Sequence, residues 1–195
     1  MGFKLKTRTI FPALVSVLSP LVLVKNGLSY VFSLDANALF TTPTLTTPNI
    51  VGVVDGGNAT AGSVGEYIES NIASGSAIAA GATNVAKNLT SISLTAGDWD
   101  VSGVVEWIPL ATTVLSSYSA SISTTTGALD ITKGRWTVMT LQTGITGAGN
   151  TDGSSLITSC RFSLATTTTI YLVGRATYTT AGLNMYGILR ARRVR

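Results

Sequence analysis

The stretch that decides the fold is Asp98-Trp99-Asp100-Val101-Ser102-Gly103-Val104-Val105-Glu106-Trp107-Ile108, in which two kinds of side chain alternate. Every second position from Trp99 to Trp107 is apolar or glycine, and polar residues occupy most of the positions between them. Successive side chains of a β-strand point to opposite sides, so this period of two predicts a strand with one face in a hydrophobic core. We expect Trp99 and Trp107 to lie in that core.

Segments of the same kind recur from residue 63 onward, separated by turn residues. The further strands predicted from this pattern span residues 64–70, 90–95, 113–124, 135–142, 155–164, 168–178 and 183–194. The glycine-rich residues 143–150 are interpreted as a loop, because no helix with a Lys-Ser/Thr pair follows them as a phosphate-binding loop would require. Seven or eight such strands predict an all-β fold, an antiparallel, jelly-roll-like β-sandwich over residues 63–195.

The residues before the predicted sandwich divide into an arm and a linker. Residues 1–40 are predicted to be an extended or hairpin arm, because Asn26-Gly27 is typical of a two-residue hairpin turn and Asp35 can cap a helical turn over residues 35–40. Residues 41–62, rich in Thr, Pro and Gly, are predicted to be a linker. The arm is too small to be stable alone, and we interpret it as a unit that docks on a partner. Its candidate attachment residues are Phe11, Pro12, Leu14, Leu21, Leu23, Tyr30 and Phe32.

The basic start of the chain, followed by apolar residues 10–24, imitates a signal peptide. Pro12 and Pro20 interrupt the apolar run, Lys25 closes it, and no small-x-small cleavage site follows. We therefore expect neither a secretory leader nor insertion into a membrane.

The composition disfavours most enzyme chemistry. The 195 residues include no histidine, one cysteine and nine acidic residues, whereas catalysis at neutral pH commonly uses His, a thiolate, paired carboxylates or a metal. The cysteine, Cys160, alternates with polar residues beside Phe162 and is interpreted as a small core residue. Asp98 is interpreted as a turn residue and Asp100 as a solvent-facing strand residue, rather than as a Ca²⁺ site. We predict a non-enzymatic protein without a metal or a cofactor.

Charged residues make up only 11% of the chain, against roughly 25% in soluble domains. Uncharged strands at the edges of a sheet tend to pair with other chains, so a surface this poor in charge predicts burial against other subunits. The sequence therefore predicts an obligate oligomer.

Four arginines lie within the last six residues. On a strand Arg190 and Arg192 share one face, and Arg193 and Arg195 share the other. We predict that the first pair contacts a neighbouring subunit or faces an anion, and that the second pair is exposed. The acidic partners considered are Glu66 and Glu69 of the same or a neighbouring subunit. A single basic tip without interleaved aromatic residues does not predict nucleic-acid binding.

Aromatic residues could line a sugar-binding surface. Because Trp99 and Trp107 are assigned to the core, Tyr178 and Tyr186 near the last hairpin are the predicted exposed pair. They are our candidates for contact with a glycan.

Several stretches resemble phage and prophage tail-fibre proteins. Val64-Gly65-Glu66-Tyr67-Ile68-Glu69-Ser70 and Ser91-Ile92-Ser93-Leu94-Thr95-Ala96-Gly97-Asp98-Trp99-Asp100-Val101-Ser102-Gly103 are similar to parts of a C-terminal β-domain of that family, and residues 186–195 resemble the way those proteins close. Residues 6–13 and 23–28 resemble the opening of short phage fibre proteins. The resemblance implies a homotrimeric virion appendage with a tumour-necrosis-factor-like jelly roll at its distal end, and it supplies no catalytic residues.

We therefore predict a short trimeric tail fibre or tail appendage of a bacteriophage virion, attached by its arm to other virion proteins and contacting a glycan of the bacterial host surface. A tail location is favoured over the head. The alternative is a capsid-decorating head fibre or cement protein. A polysaccharide-degrading spike would need a cluster of carboxylates, which the nine scattered acidic residues do not suggest.

Overall fold

A computed structural model describes residues 21–26, 29–34, 55–146, 153–179 and 182–194, with the first two segments and residues 145–146 described by their strands alone. The chain divides into two compact units, residues 1–50 and residues 51–195. In the first unit, β1 (Leu21–Asn26) pairs antiparallel with β2 (Ser29–Leu34). The pairing ends with Asn26 opposite Ser29, so the predicted hairpin is present, one residue further along than an Asn26-Gly27 turn would place it.

Four of the candidate attachment residues lie in this hairpin. Leu21 and Leu23 belong to β1, and Tyr30 and Phe32 belong to β2, where Leu23 is directly opposite Phe32. The remaining candidates and the predicted helical turn lie outside the described residues: Phe11, Pro12, Leu14 and residues 35–40.

The second unit contains two antiparallel sheets, which we call sheet I and sheet II. Sheet I contains, in order, β3 (Tyr67–Ile72), β11 (Leu183–Arg193), β6 (Gly97–Pro109) and β9 (Gly153–Leu164), with the short β4 (Ile78–Ala79) also paired to β11. Sheet II contains, in order, β5 (Lys87–Leu94), β10 (Thr168–Thr179), β7 (Val114–Ser123) and β8 (Trp136–Thr146).

The connectivity of the two sheets is that of a jelly roll. If β4 is set aside and β3 is counted as the first of eight strands, sheet I has the order 1-8-3-6 and sheet II the order 2-7-4-5. Two Greek keys folded onto each other produce this order. Within the described residues the one helical element is a 3-10 turn at Ser74–Ser76. The predicted all-β, antiparallel, jelly-roll-like sandwich is confirmed.

The core lies between the sheets, and β6 supplies its largest side chains. Trp99 and Trp107 are fully buried, as the alternating pattern predicted. The Trp107 ring lies against Gly174 of sheet II, where an added Cβ would be only 2.7 Å from the ring. The indole nitrogen of Trp107 donates a hydrogen bond to Ser155 Oγ at 3.0 Å, which satisfies its buried polar atom.

Cys160 packs against this core, as predicted. It is half-buried, and its Sγ donates to the carbonyl oxygen of Val101 at 3.3 Å. Burial raises the pKa of Cys160 to about 11, so the thiol is protonated at neutral pH.

The predicted loop over residues 143–150 is wrong in its first half, because β8 continues to Thr146. The register between β7 and β8 shifts between Leu115 and Ser117, and pairing resumes at Leu115 opposite Ile145. A bulge of this kind accommodates glycine within a strand, so Gly144 does not end β8. Residues 147–152 lie outside the described residues.

Among the described residues, no helix has the length and apolar character needed to span a membrane.

Candidate functional site

The two sheets differ in how much of the chain covers their outer faces. On sheet II, Ser119, Ser121 and Ser123 point away from the core yet are buried. The connection between β7 and β8 lies over them: the backbone N–H of Asp130 donates to Ser121 Oγ at 3.1 Å, and the Asn88 side chain binds this connection at Thr126. The protein's own chain thus covers the middle of the outer face of sheet II.

The outer face of sheet I is open in the described part of the chain. Alternate residues of β11 from Leu183 to Ala191 are buried, whereas Arg190 and Arg192 are exposed. The alternation of side chains along a strand therefore places these two arginines on one surface, as predicted.

A cavity lies on this open face, and we call it the arginine cavity. Its volume is about 330 Å³. It is lined by Tyr67, Asp100, Ser102, Ser159, Arg190, Ala191 and Arg192. Four strands meet here: Tyr67 of β3 is opposite Arg192 of β11, Arg192 is opposite Asp100 of β6, and β9 contributes Ser159.

Hydrogen bonds hold one side of the arginine cavity in place. Tyr67 Oη donates to Glu69 Oε2 at 2.7 Å, and Arg190 Nε donates to Ser102 Oγ at 3.1 Å. The bond to Glu69 and partial burial raise the pKa of Tyr67, which is therefore neutral at neutral pH. Arg192, by contrast, forms no ion pair with the described acidic residues, although Asp100 is its cross-strand neighbour.

A β-bulge brings Ser159 to the cavity. Val101 pairs with Cys160 and Gly103 pairs with Ile157, so two residues of β9 lie opposite the single residue Ser102. A bulge redirects side chains, and both Thr158 and Ser159 are exposed. Without the extra residue, strict alternation would turn one of them toward the core.

The prediction that Arg193 is exposed is wrong. Its side chain is 5% exposed, and its Nε lies 2.9 Å from Oε2 of Glu66, which is also buried. The guanidinium lies over the Trp99 ring, 4.3 Å from its centroid, and donates to the carbonyl oxygen of Ala96 and to Thr95 Oγ1. β11 carries Arg193 on the same face as its buried residues, so the side chain enters the end of the core and meets Glu66 there. Arg195 lies outside the described residues.

Glu66 is therefore the partner of Arg193, not of the exposed arginines. Burial by itself would raise the pKa of Glu66, but the N–H of Gly62, which donates to Oε2 at 2.8 Å, and the guanidinium of Arg193 outweigh it. The net effect lowers the pKa of Glu66, so this carboxylate is ionised at neutral pH.

Asp98 differs from its interpretation as a turn residue, because it lies within β6. It is buried at the start of β6, and Arg161 Nε of the neighbouring strand lies 2.7 Å from its Oδ1. Asp100 is exposed, as predicted. In the described part of the chain, no group of three or more His, Cys, Asp or Glu residues could hold a metal ion.

Tyr178 and Tyr186 are not the exposed pair that the sequence predicts. Tyr178 is half-buried against the core, and its hydroxyl donates to the carbonyl oxygen of Gly81. Tyr186 is also half-buried and lies opposite Glu106. It is two positions from Ile188 and four from Arg190 along β11, so it shares the outer face of sheet I with them. The structure therefore separates the two tyrosines and places only Tyr186 on the face that carries the arginine cavity.

One edge strand of the sandwich lacks charge. β3, β5 and β9 carry Glu69, Lys87 and Arg161, whereas the eleven residues of β8 include no charged residue. Val138 and Met139 in the regular part of β8 are 50% and 49% exposed. A long uncharged edge strand is the part of a sheet best suited to pair with another chain.

No protein-family model and no curated protein matches the chain. Among solved structures, it is similar at 13% identity and a TM-score of 0.35 to a chain of the infectious bursal disease virus Gx strain, over 89% of this chain and 42% of that one. A chain of the VP2 subviral particle of the same virus matches at 13% identity and a TM-score of 0.34, over 67% of this chain and 30% of that one. This protein spans less than half the length of either.

Proposed function

We propose that this protein is a non-enzymatic structural component of a bacteriophage particle, a short homotrimeric tail fibre or tail appendage. Residues 1–40 would be the attachment arm, residues 41–62 the linker and residues 63–195 the distal knob. The resemblance of both ends and of residues 64–103 to phage fibre proteins supports the assignment to a virion.

The observation that carries the proposal of self-association is the uncharged edge strand β8. The regular stretch Trp136–Thr140 pairs on one side with β7 and is the last strand of sheet II. Its other side can pair with a strand of a neighbouring subunit through backbone hydrogen bonds, which would cover Val138 and Met139. Such pairing would account for an edge strand, β8, that lacks the charged residues by which edge strands usually avoid association.

Light scattering of the full-length protein tests this association. We expect the mass of a trimer for the wild type and a smaller species for Val138→Lys, because a charge on β8 would have to be buried at the interface. Thr177→Lys is the matched control, since Thr177 is exposed on β10, an inner strand of sheet II that has no free edge. A wild-type monomer at micromolar concentration would refute the trimer, and a trimeric Val138→Lys variant would refute the role of β8.

Cryo-electron microscopy of particles tests the virion assignment. We expect density for the protein on the tail, and its loss when residues 1–40 are deleted from an otherwise soluble protein. Density on the capsid would instead support the alternative, a head fibre or cement protein. Incorporation of the truncated protein at normal copy number would contradict the role of the arm.

A further inference from the structure

We propose that the arginine cavity binds a carboxylate-bearing sugar residue, such as a uronic acid within a polysaccharide. Arg190 and Arg192 would bind the carboxylate, and Tyr67, Asp100, Ser102 and Ser159 would bind hydroxyl groups. This inference rests on the proposed function, because it names the chemical class of the host receptor that the knob would bind.

The two arginines are arranged to bind one anion. They are separated by one residue on β11 and share its outer face, so their Cα atoms are about 7 Å apart. The planar guanidinium group matches the two oxygens of a carboxylate, and both arginines are exposed rather than buried in the core. The bond from Arg190 Nε to Ser102 Oγ holds the Arg190 side chain toward β6 before any ligand arrives.

The charge balance of the cavity favours a ligand with a single negative charge. Arg190 and Arg192 contribute two positive charges to the lining and Asp100 contributes one negative charge, a net charge of +1, while Glu69 outside the lining accepts the hydrogen bond of Tyr67. A doubly charged phosphate would be repelled by Asp100 about twice as strongly as a carboxylate at the same distance, because it carries twice the charge.

The remaining lining groups suit a ligand rich in hydroxyls. Asp100 accepts hydrogen bonds, and Ser102 and Ser159 can both donate and accept them. The bulge in β9 supplies Ser159, and the ring of Tyr67 adds an apolar surface of the kind that sugar rings stack on. A volume of about 330 Å³ is at the lower end of the range for small-molecule sites.

The test is an NMR titration of full-length protein with glucuronate, with glucose and acetate as comparison ligands. We expect glucuronate to shift the amide signals of residues around the cavity, and to bind at least about tenfold more weakly to the Arg190→Gln, Arg192→Gln double variant. Arg175→Gln is the control, since it removes an arginine from sheet II and should leave binding unchanged.

Three results would overturn the proposal. Equal binding of glucuronate to the wild type and the double variant would exclude the arginines. Acetate binding as tightly as glucuronate would show a simple anion site. A change in molar mass of the double variant would show that the arginines face a neighbouring subunit. None of these results depends on where the protein lies in a virion, so the proposed function can fail or survive independently.

Discussion

Arg193 joins the start of the sandwich to its last strand. The Arg193 and Glu66 side chains are 5% and 8% exposed, so their ion pair is shielded from water. Removing one member of a buried pair leaves the other charge uncompensated, which costs about 3–5 kcal/mol. We expect Arg193→Ala to lower the free energy of unfolding by about 3 kcal/mol in urea denaturation. The control, Arg190→Ala with Arg192→Ala, changes exposed residues and should cost less than about 1 kcal/mol. A larger loss of unfolding free energy in the double variant than in Arg193→Ala would contradict the buried ion pair between Arg193 and Glu66.

The same ion pair predicts a response to acid. Because the pKa of Glu66 is lower in the folded protein than its unfolded value of about 4.3, the pair contributes its full stabilisation above that value. The contribution is lost as pH falls through the folded pKa. We expect Glu66→Gln to melt below the wild type at pH 7, with the difference shrinking in acid. Melting curves across a pH series measure this. A difference in Tm between the wild type and Glu66→Gln that does not change with pH would exclude the ion pair as its cause.

Gly187 determines how closely β11 can approach β6. Its φ of +147° is unfavourable for other residues, and a Cβ there would collide with the carbonyl oxygen of Val104 on β6. We expect Gly187→Ala to destabilise the fold by at least about 2 kcal/mol, measured by urea denaturation. Gly75→Ala, at a position with open space around it, should change stability by less than about 0.5 kcal/mol. Similar losses from both would argue against a collision at β6.

The strands themselves are predictable from the sequence because the alternation of side chains is local. Each strand predicted between residues 63 and 195 overlaps an observed one, and Trp99 and Trp107 lie in the core as expected. The pairing of strands depends on residues far apart in the chain. Arg193 finds Glu66 at a separation of 127 residues, which no local pattern reports. The bulge that exposes Ser159 likewise exists only in relation to β6, so the arginine cavity could not be predicted.

At the scale of the whole molecule, the second unit contains its own core. The buried hydrophobic residues in the described part of the chain lie between Ala80 and Ala191. We expect residues 51–195 to fold without the first unit, with a Tm within about 3 °C of the full-length value, a difference of about 1 kcal/mol or less. Circular dichroism of the fragment on heating measures this. Loss of the cooperative transition would show that the first unit is required for the sandwich to fold.

The contact between Glu66 and Arg193 also determines how the sandwich responds to tension. Gly65 N–H donates to the carbonyl oxygen of Arg193, and Arg193 N–H donates to that of Glu66, so both ends of the fold meet at one corner. A pull on the chain before Glu66 against the chain after Arg193 acts across the β3–β11 ladder. The hydrogen bonds of this ladder then bear the force one after another, instead of all at the same time. The ion pair would break first and uncover Trp99, so a change in the fluorescence of Trp99 would be the earliest optical sign of mechanical opening.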